Sequence, residues 1–369
     1  MILDQKDGEL LKLVGLCRYL PVTLKNKYTN EALFKSTTDA LREYGLIKLT
    51  TDKQCYKLTS IGRGVLQEMG FTFRADARSV VGDDPRYMRR MMCADINVMF
   101  HTAGVNVFTE TAQELNKCEI GYLPLLNVRS KERASLFAAR MAGVFRGGDV
   151  AYAVYYMSDE TEGVHIGFER STLRQLTKGI TGIKHIKIIF AGKSLEELWK
   201  LIFETKGPRR LPNETTPFAL AYDDFVQNVL FVERSRNGAL QAQILAAPDY
   251  RKKLADHFCR GRTSVPATLS HCDGFHKGVP VIIAADMDLK RLRAAIRQAE
   301  INWRTAPEIL CLDFQERVLQ RFLEYYNVPA ARIYKLTFEE VTAMMPGIGK
   351  REFTNEPFRT VEGGCISVQ

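Results

Sequence analysis

Apolar residues near the start of the chain recur with a helical period. Leu10, Leu13, Val14 and Cys17 fall at i, i+3, i+4 and i+7, the spacing of one helix face, and Pro21 sets the stop. A short helical turn is expected over 24–28. Asn30 then caps a third helix, whose inner face reads Leu33, Thr37, Ala40, Leu41 and Tyr44 and which ends at Gly45. Two strands, 46–50 and 55–59, follow about the polar turn 51–54, and a closing helix over 60–69 ends at Gly70.

Past a linker at 71–84 the pattern changes. Apolar β-type runs are expected at 122–128, 151–157, 164–168 and 186–191, with helices at 87–100, 131–144, 172–178 and 195–204. Gly207, Pro208, Pro212 and Pro217 mark a second boundary. In the last third, short strands at 229–232, 281–284, 309–312 and 333–336 alternate with helices at 250–258, 289–299, 315–326 and 338–344. That alternation implies an open, mainly parallel α/β sheet. Gly167–Ser171 and Phe231–Ser235 both close an expected strand on Glu-Arg-Ser, which raises a duplicated unit as one reading.

Composition narrows the class. Among 369 residues, 46% are hydrophobic and 26% charged, which excludes disordered and fibrous chains. No apolar run approaches the ~20 residues needed to span a bilayer, and the opening residues lack the basic-then-apolar layout of a secretory signal. A cytoplasmic protein without membrane contact is expected. The eight cysteines are scattered, with no CxxC, and predict reduced, mostly buried thiols. A net charge of +9 favours a polyanionic partner.

The third helix is expected to present Lys35, Ser36, Thr38 and Arg42 outward, residue types that meet guanine edges and phosphates when a helix enters a major groove. Lys48, Lys53 and Lys57 lie on or beside the hairpin, placed for backbone phosphates. Together with the run Tyr56-Lys57-Leu58-Thr59-Ser60-Ile61-Gly62-Arg63, this module resembles winged-helix proteins. The resemblance implies double-stranded DNA as partner, and a homodimer where paired half-sites are read. Asp39 in the reading face opposes strong DNA affinity, and winged helices also dock proteins.

The expected class is thus multi-domain α/β. A winged helix over 1–74 precedes mixed and parallel α/β sheet domains at 85–205 and 218–345, and an irregular tail covers 346–369.

Acidic residues offer candidate chemistry. Hard divalent cations take carboxylate oxygens, so Glu169, at an expected strand end, is a candidate ligand, with Asp149 and Asp159 the nearest further acids. The middle region's element order resembles restriction-endonuclease-like cores. Joined to the leading winged helix, residues 8–204 resemble the replication-relaxation family of plasmids and integrative elements, on domain order, Tyr56–Gly62 and Glu169. That resemblance implies service to a mobile element's replication or transfer. Ser171 stands where a nuclease motif carries Lys, and Arg170 stays protonated, so a structural Glu169 paired with Arg is the competing reading.

Glu233, at a strand end, with Asp286-Met287-Asp288 is similar to the toprim arrangement, which binds Mg²⁺ for strand cleavage; Tyr250 would be the nucleophile. Arg234-Ser235 follows Glu233 where that pattern prefers Gly, and the same Asp-x-Asp reads first as a helix N-cap with an acidic first turn. His257, Cys259, His271, Cys272 and His276 are zinc-type residues at a spacing that fits no common pattern. The basic runs Arg251-Lys252-Lys253 with Arg260 and Arg262, and Lys206 with Arg209-Arg210, read as phosphate contacts or as solvated faces. No P-loop, GxGxxG, GxSxG or HExxH occurs. Three readings stay open: a DNA-binding protein, a metal-dependent nicking or relaxing enzyme, and a protein-interaction scaffold.

Overall fold

The computed structural model describes residues 3–27, 30–71, 85–125, 140–158, 163–204, 216–217, 222, 228–261, 264–328 and 330–348. The chain forms two compact units, one reaching to Gly104 and one running from Val105 to Gly349.

The first unit runs α1 (Gln5–Cys17), β1 (Leu20–Pro21), a 3-10 turn (Val22–Asn26), α2 (Glu31–Glu43), β2 (Ile47–Leu49), β3 (Cys55–Leu58), α3 (Ser60–Glu68) and α4 (Pro85–Thr102). Its three strands pair antiparallel in the order β1-β3-β2. Each helix start has a chemical cause. Asp4, Asn30 and Thr59 accept from the backbone N–H of Asp7, Leu33 and Gly62, satisfying first-turn donors that no helix bond reaches. Helix α4, expected to open a separate domain at 85, belongs to this unit. Lys27 holds Asp95 at 2.7 Å, buried His101 meets Glu9 at 3.1 Å, and Tyr87 packs edge-on against Tyr19, ring centroids 5.1 Å apart.

The second unit continues α5 (Ala112–Lys117), β4 (Ile120–Pro124), β5 (Met141–Gly147), β6 (Val150–Tyr156), β7 (Gly163–Val164), α6 (Ile166–Gly179), β8 (His185–Gly192), α7 (Leu195–Trp199), β9 (Thr216–Pro217), β10 (Val229–Glu233), α8 (Arg236–Ala246), α9 (Tyr250–Phe258), β11 (Gly274–His276), β12 (Val279–Ile283), α10 (Leu289–Gln298), β13 (Glu308–Leu312), α11 (Glu316–Tyr325), β14 (Arg332–Leu336) and α12 (Phe338–Met344). One sheet has the order β10-β8-β6-β5-β4, its β10, β8 and β6 parallel and its other pairings antiparallel. The other has the order β11-β12-β13-β14, parallel apart from the β11 edge.

The fold class is therefore multi-domain α/β, with the mixed and parallel sheets the alternating pattern predicts. The division expected near 206–217 is not a division of the core. Strand β10 pairs with β8, Val229 opposite Ile188 through Glu233 opposite Gly192, so it completes the earlier sheet. One apolar cluster runs unbroken from Leu115 to Val328. Two buried glutamines tie strand ends together, Gln241 across the two sheets and Gln315 within the second. Gln241 Nε2 donates to the Phe231 and Asp286 carbonyls at 2.8 and 3.1 Å, and Gln315 Nε2 donates to Ala285 at 2.9 Å.

Two of the expected elements take a different form. Val144, taken as a helix end, lies inside β5, while residues 131–139 fall outside the described ones. The run 164–168, taken as a strand, turns into α6 after Val164. His165 Nδ1 accepts from the Phe168 N–H and so caps a helix where apolar content alone signalled a strand. The Glu-Arg-Ser echo dissolves with it, since its first copy is helical and its second leaves a strand. Lys206, Arg209, Arg210 and the tail beyond 348 also lie outside the described residues. Among the described residues no helix is long and apolar enough to cross a membrane.

Candidate nucleic-acid interface

Hairpin β2–β3 is built by its turn. Thr50 Oγ1 accepts from the Cys55 N–H at 3.0 Å, and Asp52 Oδ1 accepts from the Gln54 N–H at 3.1 Å. The Thr50 hydroxyl, donating to Asp52, holds that carboxyl below the usual range. Lys53 turns the corner with φ 59°, a left-handed conformation that projects its exposed side chain from the tip. In the ladder Ile47 faces Leu58, Leu49 faces Tyr56, and between them Lys48 directly faces Lys57. Alternation along each strand sets the two lysines on one side of the sheet and their apolar neighbours on the other.

Cys55 shares the lysines' side of the sheet, and there it packs with Tyr19 and Tyr87 under α4. The first two turns of α4 carry Arg86, Arg89 and Arg90, and the Arg90 guanidinium lies 5.7 Å from the Tyr19 ring centroid. Burial and the nearby Arg18 charge lower the Arg90 pKa. Arg18, after α1, and Arg90 of α4 thus lie close together beside Tyr19. The α4 arginines were not among the sequence candidates. Their signal was present as Arg86, Arg89 and Arg90, spaced i, i+3, i+4.

Helix α2 is rotated from the expected orientation. Its buried residues are Phe34, Thr37, Thr38 and Leu41, while Tyr44 is 49% exposed. The Phe34 ring, set against Tyr56 of β3 at 6.3 Å, fixes the inner face because it has the most apolar area to bury. Thr38 is consequently not a surface residue; it is 1% exposed and donates to the Lys35 carbonyl at 2.9 Å. Lys35, Ser36 and Arg42 do face solvent, but with Glu31 and Glu43, and Arg42 lies 3.7 Å from Asp39.

In the second unit the acidic candidates do not converge. Glu169 sits in the first turn of α6, not at a strand end. It is fully buried, accepts from the Arg140 N–H at 2.8 Å, and lies beside the Tyr155 hydroxyl, which burial first and Glu169 second push well above its usual value. Asp149 is an exposed partner of Lys184 at 3.0 Å, and Asp159 lies outside the described residues.

Asp286 is fully buried between cations. Its Oδ2 accepts from Tyr250 Oη at 2.7 Å and from Arg251 through Nε at 2.9 Å and Nη2, while Arg291 Nη2 stands 3.9 Å from Oδ1. Burial opposes ionisation of Asp286, yet Arg251 and Arg291 outweigh it and hold the carboxyl below its usual range. Asp288 caps α10, its Oδ1 accepting from the Arg291 N–H at 3.0 Å; burial and then the Asp286 charge raise its pKa. Glu233 ends β10 and accepts from Ser235, the cap of α8. Tyr250 is pushed well up, by burial foremost, which removes it as a ready nucleophile. Arginines already saturate the carboxylate a magnesium ion would need.

Cys259 and Cys272 are pushed up to about 11, chiefly by burial, and His276 is bound to Glu308 at 2.7 Å. Among the described residues no group of three or more His, Cys, Asp or Glu side chains is placed to hold a metal ion.

No family model, curated protein or solved structure matches the chain. The assignment of chemistry therefore rests on geometry, and the feature with the clearest electrostatic demand is the hairpin. Like charges directly opposed in a ladder repel, a cost that an anion lying across them converts into attraction.

Proposed function

We propose that the chain is a double-stranded DNA-binding protein whose first unit works as a winged helix and grips the phosphate backbone with its hairpin. The observation that carries this reading is the cross-strand pair Lys48–Lys57, with Lys53 exposed at the tip. Three features support it further: the helix, strand, helix, hairpin, helix order; the β1-β3-β2 sheet; and Arg90 of α4 beside Tyr19, which packs with Cys55 of β3. The mixed charge of α2's outer face argues for backbone contact ahead of base reading, since Glu31, Asp39 and Glu43 offset Lys35 and Arg42 beside phosphates.

The test is fluorescence anisotropy of the pure chain with labelled duplexes of unrelated sequence across a salt series. Binding that weakens steeply with salt and varies little with sequence is expected. Absence of salt-sensitive binding to any duplex would leave the protein-interaction reading in its place.

A further inference from the structure

The second unit contains a cavity of about 680 Å³, within the range of small-molecule sites. Its walls come from the β5–β6 turn at Gly147 and Gly148, strands β6 and β8 at Tyr152 and Lys187, and the start of α9 at Tyr250 and Arg251. These elements are fixed by the sheet register that sets Tyr152 beside Lys187 and by the Tyr250–Asp286 bond.

Charge pairing around the cavity is incomplete in one sense only. Lys184 is matched by Asp149 at 3.0 Å, Asp273 by Arg291 at 3.0 Å, and Arg251 by Asp286. Lys187, half-buried near the start of β8, has no hydrogen bond or ion pair among the described residues, and neither does the exposed Lys252, also on the wall. Asp249, also on the wall, is exposed. Arg251 spends Nε and Nη2 on Asp286, which leaves Nη1 as an oriented donor without a bond among the described residues. Burial, followed by the Arg251 charge, lowers the Lys187 pKa against the weaker opposing pull of Asp286 and Asp288.

We propose that this cavity binds a phosphorylated small molecule, its phosphate held between the Lys187 ammonium and the Arg251 guanidinium. A planar guanidinium fixed by a buried carboxylate supplies direction, and an unpaired ammonium supplies charge. The volume exceeds what an inorganic ion alone would occupy, so an organic portion sits against Val150, Leu245 and Val265.

The experiment uses the whole chain and three probes: inorganic phosphate, pyrophosphate and adenosine monophosphate. Calorimetric titration is expected to show saturable binding of at least one, weakened about tenfold or more in Lys187→Met and unchanged in Lys48→Glu/Lys57→Glu. Acetylation of the unmutated protein, read by mass spectrometry, guards against a variant that fails to fold. The binding probe should slow labelling of Lys187 several-fold and leave Lys48 and Lys53 unaffected. No binding by any probe, or a bound probe that leaves Lys187 equally reactive, overturns the proposal. Loss of binding in the hairpin variant would do so too, by assigning the phosphate to the DNA surface.

Discussion

Lys48 of β2 and Lys57 of β3 are register partners in an antiparallel ladder, two positive charges on one sheet face where a neutral or opposite pair would be more stable. A position held against local stability is a good place to look for function. Replacing Lys48 by Thr should therefore raise the stability of the DNA-free protein by roughly 0.2–1 kcal/mol while weakening duplex binding. Urea unfolding and anisotropy on the same variant check both signs.

Gly62 explains why the turn from β3 into α3 reads Leu-Thr-Ser-Ile-Gly. Thr59 Oγ1 donates to the Gly45 carbonyl at 2.6 Å, and Thr59 N–H donates to the Leu46 carbonyl at 3.0 Å, drawing the start of α3 onto the residues that lead into β2. A Cβ on Gly62 would lie 2.1 Å from the Leu46 oxygen, a backbone atom that cannot turn aside. Gly62→Ala should cost about 1–3 kcal/mol or more. Gly64→Ala, whose Cβ meets nothing within 4 Å, should instead gain roughly 0.5–1 kcal/mol. Thermal melts of the two variants should move in opposite directions.

Asp286 neutralises Arg251 and faces Arg291, so Asp286→Asn leaves guanidinium charge uncompensated in a buried site. A loss of about 3–5 kcal/mol is expected from urea unfolding of this variant. Millimolar Mg²⁺ should leave the melting temperature of the unmutated protein where it was, because arginines occupy the carboxylate. A magnesium-dependent rise abolished by Asp286→Asn would contradict this.

Asp7, in the first turn of α1, has its carboxyl pushed up to about 6, by burial first and by Asp4 next. The unfolded chain keeps a value near 3.8. A raised folded value means that the folded state holds the proton more tightly. The associated stability is fully present below pH ~4 and is lost as pH rises through about 6. Asp7→Asn should remove this slope and stabilise the protein at pH 8 relative to the unmutated chain. Melting temperatures from pH 4 to 8 measure it, and parallel curves would exclude the effect.

The regular parts of the fold were legible because they carry period and punctuation together. Helix α12, over Phe338–Met344, is as expected, and Thr337 with Glu340 forms its capping box. The hairpin was legible too, down to its turn. Pairing was not. Nothing local in Val229–Glu233 says that it joins β8 ahead of β12, because parallel neighbours are chosen by long-range packing. Helix α8 was missed since its small residues, Gly238, Ala239 and Ala242, are buried by close approach and leave a weak apolar stripe.

The same limit decided which candidate residues could be located from the sequence. Lys48, Lys53 and Lys57 needed only a hairpin to be placed. Thr38 needed the helix rotation, which one Phe ring decides. For Asp286-Met287-Asp288 the cap reading holds at Asp288. The role of Asp286 depended on Arg251, 35 positions away, which sequence spacing could not bring alongside.

The most direct measurement compares the salt dependence of duplex binding in Lys48→Glu/Lys57→Glu with that in Lys35→Glu/Arg42→Glu. Hairpin contact predicts that the first variant loses most of the affinity and that its log–log salt slope falls by about 2, one unit per lysine, while the second changes much less. A hairpin variant that binds duplex as tightly and with the same slope as the unmutated protein would contradict the account.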